Sequence, residues 1–393
     1  MKKIFFFSLL FIVIGLKTNA SDGLQEPGMQ ISILTCAPGE DIYTAWGHTA
    51  IRIIDSANHT DLVYNFGTFD FNEPYFLFKF VKGSLQYFIS VNSYTNFMDE
   101  YRYYNRDVVE QVLYLSEAEK LKWKAALQVN LIGANRYYLY NFITDNCTTR
   151  VKDGLFENSA VQPAHILVKS FRDEVVKAPY EQGIPWIGFG IDLLLGAYSD
   201  QQPDHYKSGF LPPLLFNQLA QIKGLVVQTN TANFPAPYAT NANETTQNKT
   251  ASTKHQPFLV LMCILIFYAF VSKWNSLLTQ RIAKGMDLLL LLLFGLGGCL
   301  VFYMSLISLH TACYENFNLM WLHPAYLIAL VFYFLPKNWI GKLGMLFFSA
   351  IIGLVITSYW VPQHFSKEVF ALMAIALLLN YRLIKKGHYA TLV

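Results

Sequence analysis

Two side chains that can make a nucleophile and its base stand about a hundred residues apart in this 393-residue sequence, histidine first and cysteine second. Cys147 follows Asp145-Asn146, either of which can cap a helix. A thiol in a first helical turn meets free backbone N–H groups and the positive end of the helix dipole, and both favour the thiolate. His48 opens the run Thr-Ala-Ile-Arg-Ile-Ile, whose β-branched residues read as a strand able to hold an imidazole rigidly. Such a pair supports acyl transfer: the thiolate attacks a carbonyl and the imidazole protonates the leaving group. Two plainer readings stand beside it. A lone histidine and a lone cysteine are common core residues, and Cys36 with Cys147 would make one disulfide in an oxidising compartment, which leaves His48 without a role.

Other residues near these motifs carry charge or sulfur. Arg52 shares the strand face of His48, and Arg150 lies one helical turn after Cys147. Either can bind a phosphate or pair with Asp70, Asp145 or Asp153, and ion pairing is the expected role of Arg52. Cys36 precedes the turn signal Ala-Pro-Gly and reads as structural, with a reserve role as nucleophile. Five cysteines at 36, 147, 263, 299 and 313 form no close pairs, which argues against a disulfide framework.

The elements that must position the pair are legible in the patterning. Strand-like runs occupy Gln30 to Leu34, Thr49 to Ile54, Leu62 to Phe66, Leu85 to Val91 and Val108 to Leu115, and they predict a small mixed sheet. Ser116-Glu117-Ala118-Glu119 has the form of a capping box opening a helix to about Leu131, and the Cys147 helix follows an aromatic loop. Sheet first and helices after gives an α+β domain. From Pro163 to about Val227 the chain is helical in tendency but broken by five prolines, an extension packed on that domain near the membrane.

The composition, 53% hydrophobic and 15% charged with a net charge of +3, is too apolar for an ordinary soluble protein and too mixed for a membrane bundle alone. Residues 1–20 have the form of a secretory signal, with Lys2 and Lys3, an apolar run from Ile4 to Leu16, and Thr-Asn-Ala before Ser21. Residues 21–227 form the exported domain with its extension. Residues 228–256, rich in Thr, Asn, Ala and Gln, read as a flexible linker. Residues 257–393 hold five apolar stretches: Pro257 to Ser272, Met286 to Leu309, His323 to Leu335, Leu343 to Val361 and Val369 to Leu383. Basic residues cluster after the first (Lys273, Arg281, Lys284), third (Lys337, Lys342) and fifth (Arg382, Lys385, Lys386), so an exported N-terminal domain and a cytoplasmic C-terminus agree. The exported loop from His310 to His323 is polar and suited to lipid headgroups or to supporting the N-terminal domain; His310, Glu315 and His323 match no established metal-ligand spacing.

The order of histidine and cysteine, with Asn146-Cys147 opening a helix, resembles the permuted papain-like fold of lecithin:retinol acyltransferase relatives and NlpC-type peptidases. In the acyltransferase branch a second strand presents a polar residue to the imidazole. Asn65, in Leu-Val-Tyr-Asn-Phe-Gly, matches that place and would orient His48; capping its own strand is the alternative. A closer resemblance covers nearly the whole chain. Leu-Thr-Cys-Ala-Pro-Gly-Glu (34–40), Trp-Gly-His-Thr-Ala-Ile-Arg (46–52), Tyr-Asn-Phe-Gly-Thr-Phe-Asp-Phe (64–71), Asp-Asn-Cys-Thr-Thr-Arg (145–150) and Gly-Ile-Asp-Leu-Leu-Leu-Gly (190–196) are similar to the Lnb lipoprotein N-acyltransferase family. The resemblance implies a multi-pass inner-membrane protein with a periplasmic N-terminal domain. It implies transfer of an acyl chain from a phospholipid to the α-amine of a lipoprotein N-terminal cysteine through a Cys147 thioester, with His48 as the base and no cofactor. A cell-wall peptidase or amidase of the same fold, and a non-catalytic envelope module, are the competing readings. The aromatic segment Phe69 to Phe80 favours lipid. With no glycine-rich phosphate loop, paired-cysteine zinc pattern or basic nucleic-acid face, nucleotide and nucleic-acid functions are disfavoured.

Overall fold

A computed structural model describes residues 28–234, 255–334 and 339–389, so the expected signal segment lies outside the described residues. The five alternating runs become β1 (Met29–Cys36), β2 (His48–Asp55), β3 (Thr60–Thr68), β4 (Gln86–Ser93) and β5 (Val108–Leu113). Two further strands, β6 (Tyr137–Leu139) and β7 (Val226–Ala232), complete a seven-stranded sheet in the order β6-β4-β3-β2-β1-β5-β7. Every pairing is antiparallel, which corrects the expectation of a mixed sheet. Of the expected linker, residues 235–254 lie outside the described residues. Residues 228–232 belong to β7, whose polar side chains suit an edge strand with exposed faces.

Each face of the sheet is covered by helices. Ile31, Ile33, Ile51, Ile53 and Tyr64 point into a core with Trp123 of α3 (Glu117–Asn130) and Val151 and Leu155 of α4 (Cys147–Asn158). The opposite face, with Leu34, Ala50 and Val63, packs on Phe97, Met98 and Tyr101 of α2 (Tyr94–Tyr103). The capping box at Ser116 is formed: Ser116 N–H donates to Glu119 Oε2 at 2.8 Å and the Glu119 N–H donates back to Ser116 Oγ. Between β3 and β4 lies α1 (Phe76–Lys82), a helix that the strand and turn signals do not predict.

The proline-broken extension holds α5 (Phe171–Glu181), α6 (Pro185–Leu194) and α7 (Pro212–Gln221). Arg172 organises it. Its buried guanidinium bonds Asp192 Oδ1 at 2.7 Å, Asp200 Oδ1 at 2.8 Å and the carbonyls of Leu195 and Gly196. Helix α6 reaches into the membrane portion, where Phe189 joins the core built by Leu261, Leu291 and Tyr326.

The five apolar stretches correspond to helices α8 (Gln256–Lys273), α9 (Leu277–Leu306), α10 (Ala325–Phe332), α11 (Trp339–Thr357) and α12 (Lys367–Tyr389). Among the described residues three of these, α8, α9 and α11, are long and apolar enough to cross a membrane by length and composition. Helix α10 has eight residues, and α12 carries Arg382, Lys385 and Lys386. At one end of the bundle Asp287 accepts hydrogen bonds from Tyr268 at 2.6 Å, Tyr333 at 3.0 Å and Arg382, and Lys386 Nζ donates to the Tyr333 carbonyl. At the other end Lys367 meets His255. Arg382 and Lys386 of the last basic cluster therefore meet Asp287 and Tyr333 at one end of the bundle, while Lys337 lies outside the described residues.

Truncating Arg172 would strand the carboxylates of Asp192 and Asp200 and the carbonyls of Asp192, Leu195 and Gly196. Arg172→Ala is expected to destabilise the protein by about 3–5 kcal/mol, read as a lower thermal midpoint of the full chain in detergent. Arg102→Ala, at an exposed pair with Asp99, should shift it little.

Candidate functional site

Cys147 is the first residue of α4, and the reason is Asn146. The Asn146 side-chain oxygen accepts from the N–H groups of Thr148 at 2.8 Å and Thr149 at 2.9 Å, while the Asn146 N–H donates to Thr149 Oγ1. Its amide nitrogen donates to the carbonyls of Phe142 and Phe210, so the cap is itself anchored in the core. Of the first-turn amides the cap engages those of Thr148 and Thr149 and leaves that of Cys147. Asn141 prepares the approach, bridging to Asp145 and accepting from the N–H groups of Ile143 and Thr144.

His48 begins β2 beside this helix start, opposite Cys36 in the β1–β2 register. Gly47 just before it has φ +79°, and a Cβ there would lie 2.5 Å from the Cys36 carbonyl oxygen, so only glycine brings the chain into the strand at this point. Trp46 fixes the entry by donating from Nε1 to the Val175 carbonyl at 2.9 Å and packing edge-on against Phe142. The neighbouring threonine ties strand to helix: Thr49 Oγ1 lies 3.1 Å from Thr148 Oγ1.

The structure brings His48, Asn65 and Cys147 together. His48 Nε2 lies 3.3 Å from Asn65 Oδ1. An amide oxygen can only accept, so Nε2 donates to Asn65 and Nδ1 is the ring nitrogen free of that bond. Burial alone would raise the Cys147 thiol. The charge of His48 and hydrogen bonds from His48, the Thr49 backbone and the Thr148 hydroxyl outweigh it, and the thiol is lowered below its ordinary range. For His48 the sign is reversed: burial lowers the imidazolium, but Cys147 and Asn65 more than offset this and raise it. Low cysteine and high histidine favour a thiolate–imidazolium pair.

Cys36 differs although it sits one strand away. Burial pushes its thiol up to about 12, against the lowering by a hydrogen bond to Tyr101, and it and Cys147 are both free. Arg52 binds Asp61 at 2.7 Å and Glu110 at 3.0 Å and lies 3.4 Å over the Tyr94 ring, the ion-pairing role expected of it. Arg150 pairs with Asp145 rather than Asp70 or Asp153, and covers the Tyr138 ring at 4.3 Å. Among the described residues no three His, Cys, Asp or Glu side chains gather as metal ligands, and His310 instead donates from Nε2 to the Phe80 carbonyl.

Sequence reasoning missed Gly67, Tyr138 and the threonine pair. Gly67 (φ +91°) sits where the β3–β4 register shifts, and a Cβ there would stand 3.3 Å from Cys147 Cβ. The buried Tyr138 hydroxyl, near the same point, has no hydrogen-bond partner of good geometry. A glycine in a strand pattern was the available signal for the first; the others arise from contacts far apart in sequence.

The loop between α9 and α10 docks on this domain. Asn141 Nδ2 donates to Thr311 Oγ1 at 2.8 Å, the Gly196 N–H donates to the Ala312 carbonyl at 2.9 Å, and Asn316 Nδ2 donates to the carbonyls of Leu193 and Leu194. A Cβ on Gly196 would fall 1.8 Å from the Tyr314 carbonyl oxygen, so the two segments meet backbone to backbone.

Sequence profiles agree with this two-part arrangement. Residues 21–172 match the Lnb N-terminal periplasmic domain and residues 248–387 match the Lnb transmembrane domain. The chain belongs to the Lnb family. No curated protein and no solved structure matches it. For this Lnb-family chain, membership suggests a lipoprotein-processing membrane protein with a periplasmic N-terminal domain.

Alkylation by iodoacetamide reads the thiolate directly. In the full chain Cys147 should remain reactive below the ordinary thiol midpoint of about 8.5. His48→Ala removes the largest lowering influence and leaves burial opposed only by the Thr49 backbone and the Thr148 hydroxyl, so the midpoint should rise relative to the wild-type protein. Gly67→Ala should slow alkylation by crowding Cys147, without moving the midpoint as far.

Proposed function

We propose that this protein is a thiol acyltransferase that moves an acyl chain from a phospholipid to the α-amine of a lipoprotein N-terminal cysteine. The observation that carries the reading is the lowered thiol of Cys147 at a helix start, hydrogen-bonded to a His48 that Asn65 holds at 3.3 Å. The Cys147 thiolate attacks the ester carbonyl. The carbon–oxygen bond breaks, the leaving lysophospholipid oxygen takes the proton held by His48, and a thioester remains. The acceptor amine then attacks the thioester; the carbon–sulfur bond breaks and His48 takes the ammonium proton. Asn65 keeps the imidazole in the tautomer and plane this requires. The Cys147 N–H that the cap leaves and the Tyr138 hydroxyl, whose hydrogen has no acceptor, are available to the oxyanion.

Seating of the domain on the loop between α9 and α10, through Asn141 and Thr311, supports a lipid substrate over a cell-wall peptide. In this reading five helices cross the inner membrane, with the sheet domain in the periplasm and the basic ends in the cytoplasm. A reporter after Gln247 should then be exported and one after Lys386 should not; finding both on one side would sink the topology.

Purified protein given phospholipid without acceptor should gain one acyl mass on the Cys147 peptide, released by hydroxylamine. A diacylated lipoprotein peptide with a free α-amine should discharge it to an amide. Cys147→Ala and His48→Ala should abolish the adduct, Cys36→Ala should retain it, and Asn65→Ala and Tyr138→Phe should each slow its formation by about 10- to 100-fold. An adduct on Cys36, or cleavage of peptidoglycan fragments in place of acylation, would overturn the reading.

A further inference from the structure

Helix α1 (Phe76–Lys82) has no buried residue, although five of its seven side chains are apolar. Leu77 is 67% exposed and Phe78 61%, with Phe80 also exposed. A seven-residue helix gains too little from its own backbone to stand in water, and a contiguous apolar face of this kind marks a surface that something covers.

What borders the face identifies the cover. The Gly83 cap of α1 is pressed on the loop that leaves membrane helix α9: a Cβ on Gly83 would lie 3.1 Å from Leu309 Cβ. The Leu309 N–H donates to the Lys82 carbonyl at 2.8 Å, and His310 Nε2 donates to the Phe80 carbonyl at 2.8 Å. Helix α9 ends at Leu306, only three residues before this contact, and Leu306, Ile307 and Leu309 are themselves exposed. The apolar face of α1 is thus continuous with the lipid-facing end of a membrane-crossing helix. Lys82 is exposed at its rim, where an ammonium can reach anionic headgroups while its stem stays apolar.

A row of rings runs from this helix toward the nucleophile. Phe76 lies 5.9 Å from Phe69, Phe69 lies 5.1 Å from Tyr87, and Tyr87 stacks on Tyr140 at 4.4 Å. Tyr87 shares a core cluster with Cys147, and Tyr140 packs against that cluster.

We propose that α1 is a membrane-seated element, its Leu77, Phe78 and Phe80 side chains immersed in the hydrocarbon of the leaflet facing the sheet domain, and that the aromatic row behind it guides the donor's acyl chain to Cys147. The second half rests on the acyltransferase reading; the first does not.

The test uses the full chain in nanodiscs of phosphatidylethanolamine and phosphatidylglycerol, with photoreactive benzoylphenylalanine in place of Phe78. Irradiation should add the mass of one phospholipid to the peptide that holds α1. The same analogue at Tyr103, exposed on α2 across the sheet, should gain none. Absence of a phospholipid adduct at Phe78, or a protein or lipoprotein adduct in its place, would overturn the membrane seat whatever the enzyme's activity. The route is read separately from Cys147 acylation by vesicle phospholipid relative to a monomeric short-chain phospholipid. In L77Q/F78Q/F80Q this ratio should fall about tenfold or more, as apolar anchors are lost from the interface. An unchanged ratio would remove the guiding role, whereas failure of the wild-type protein to acylate Cys147 from either lipid would remove the acyltransferase reading and leave the cross-link as it stands.

Discussion

The site depends on a helix that begins inside the protein. A buried helix start exposes unpaired amides to a dry interior, and each must find an acceptor. Asn146 supplies acceptors for two of them, and its own amide group spends its hydrogens on the Phe142 and Phe210 carbonyls. The arrangement leaves a single first-turn N–H, that of Cys147, beside the sulfur. Without the partners that meet it at this helix start the thiol would be one more buried cysteine, raised by desolvation as Cys36 is. The contrast between two buried thiols on adjoining elements isolates the cause: His48, the Thr49 backbone and the Thr148 hydroxyl serve one of them and not the other.

The sheet domain is held to its membrane portion by backbone contact. Gly196, Ala197 and Ser199 bond the carbonyls of Ala312 and Glu315, and Asn316 and Asn318 return bonds to Leu193 and Leu194. The 193–200 segment holds this shape because Arg172 binds its carbonyls from below and is neutralised by Asp192 and Asp200. Phe189, one turn earlier, enters the membrane core. Position of Cys147 and its partners relative to the apolar helices therefore rests on a polar joint with an apolar pin. Such a joint keeps its geometry because amide bonds are directional, while the pin supplies burial.

Much of the domain was legible because its residues obey a local period. The five expected strands sit near their observed places since one face of each packs on helices, and alternation reports that directly. The capping box at Ser116 and the cap at Asn146 are short-range chemistry and were equally readable. Strand β7 was not: Val227 to Thr231 are exposed and mostly polar, so composition resembled a linker, and only the vacant edge of β5 made it a strand. Helix α1 escaped for the opposite reason, because its apolar residues face outward and carry no core-facing period.

The sequence by itself determined the parts that neighbours in the chain create: the thiol at a helix start, the imidazole at a strand start, the glycine before it, and the division into a sheet domain and an apolar helical region. Only the tertiary structure decided which of two cysteines stands by the histidine with a lowered thiol, since Cys36 is His48's partner across the strands and Cys147 is 99 residues away, and the difference lies in hydrogen bonds and burial that no spacing encodes. It also decided that Gly67 clears the space beside the sulfur and that Thr49 and Thr148 join strand to helix. These contacts form where distant segments converge, and their energies depend on the desolvation that convergence brings.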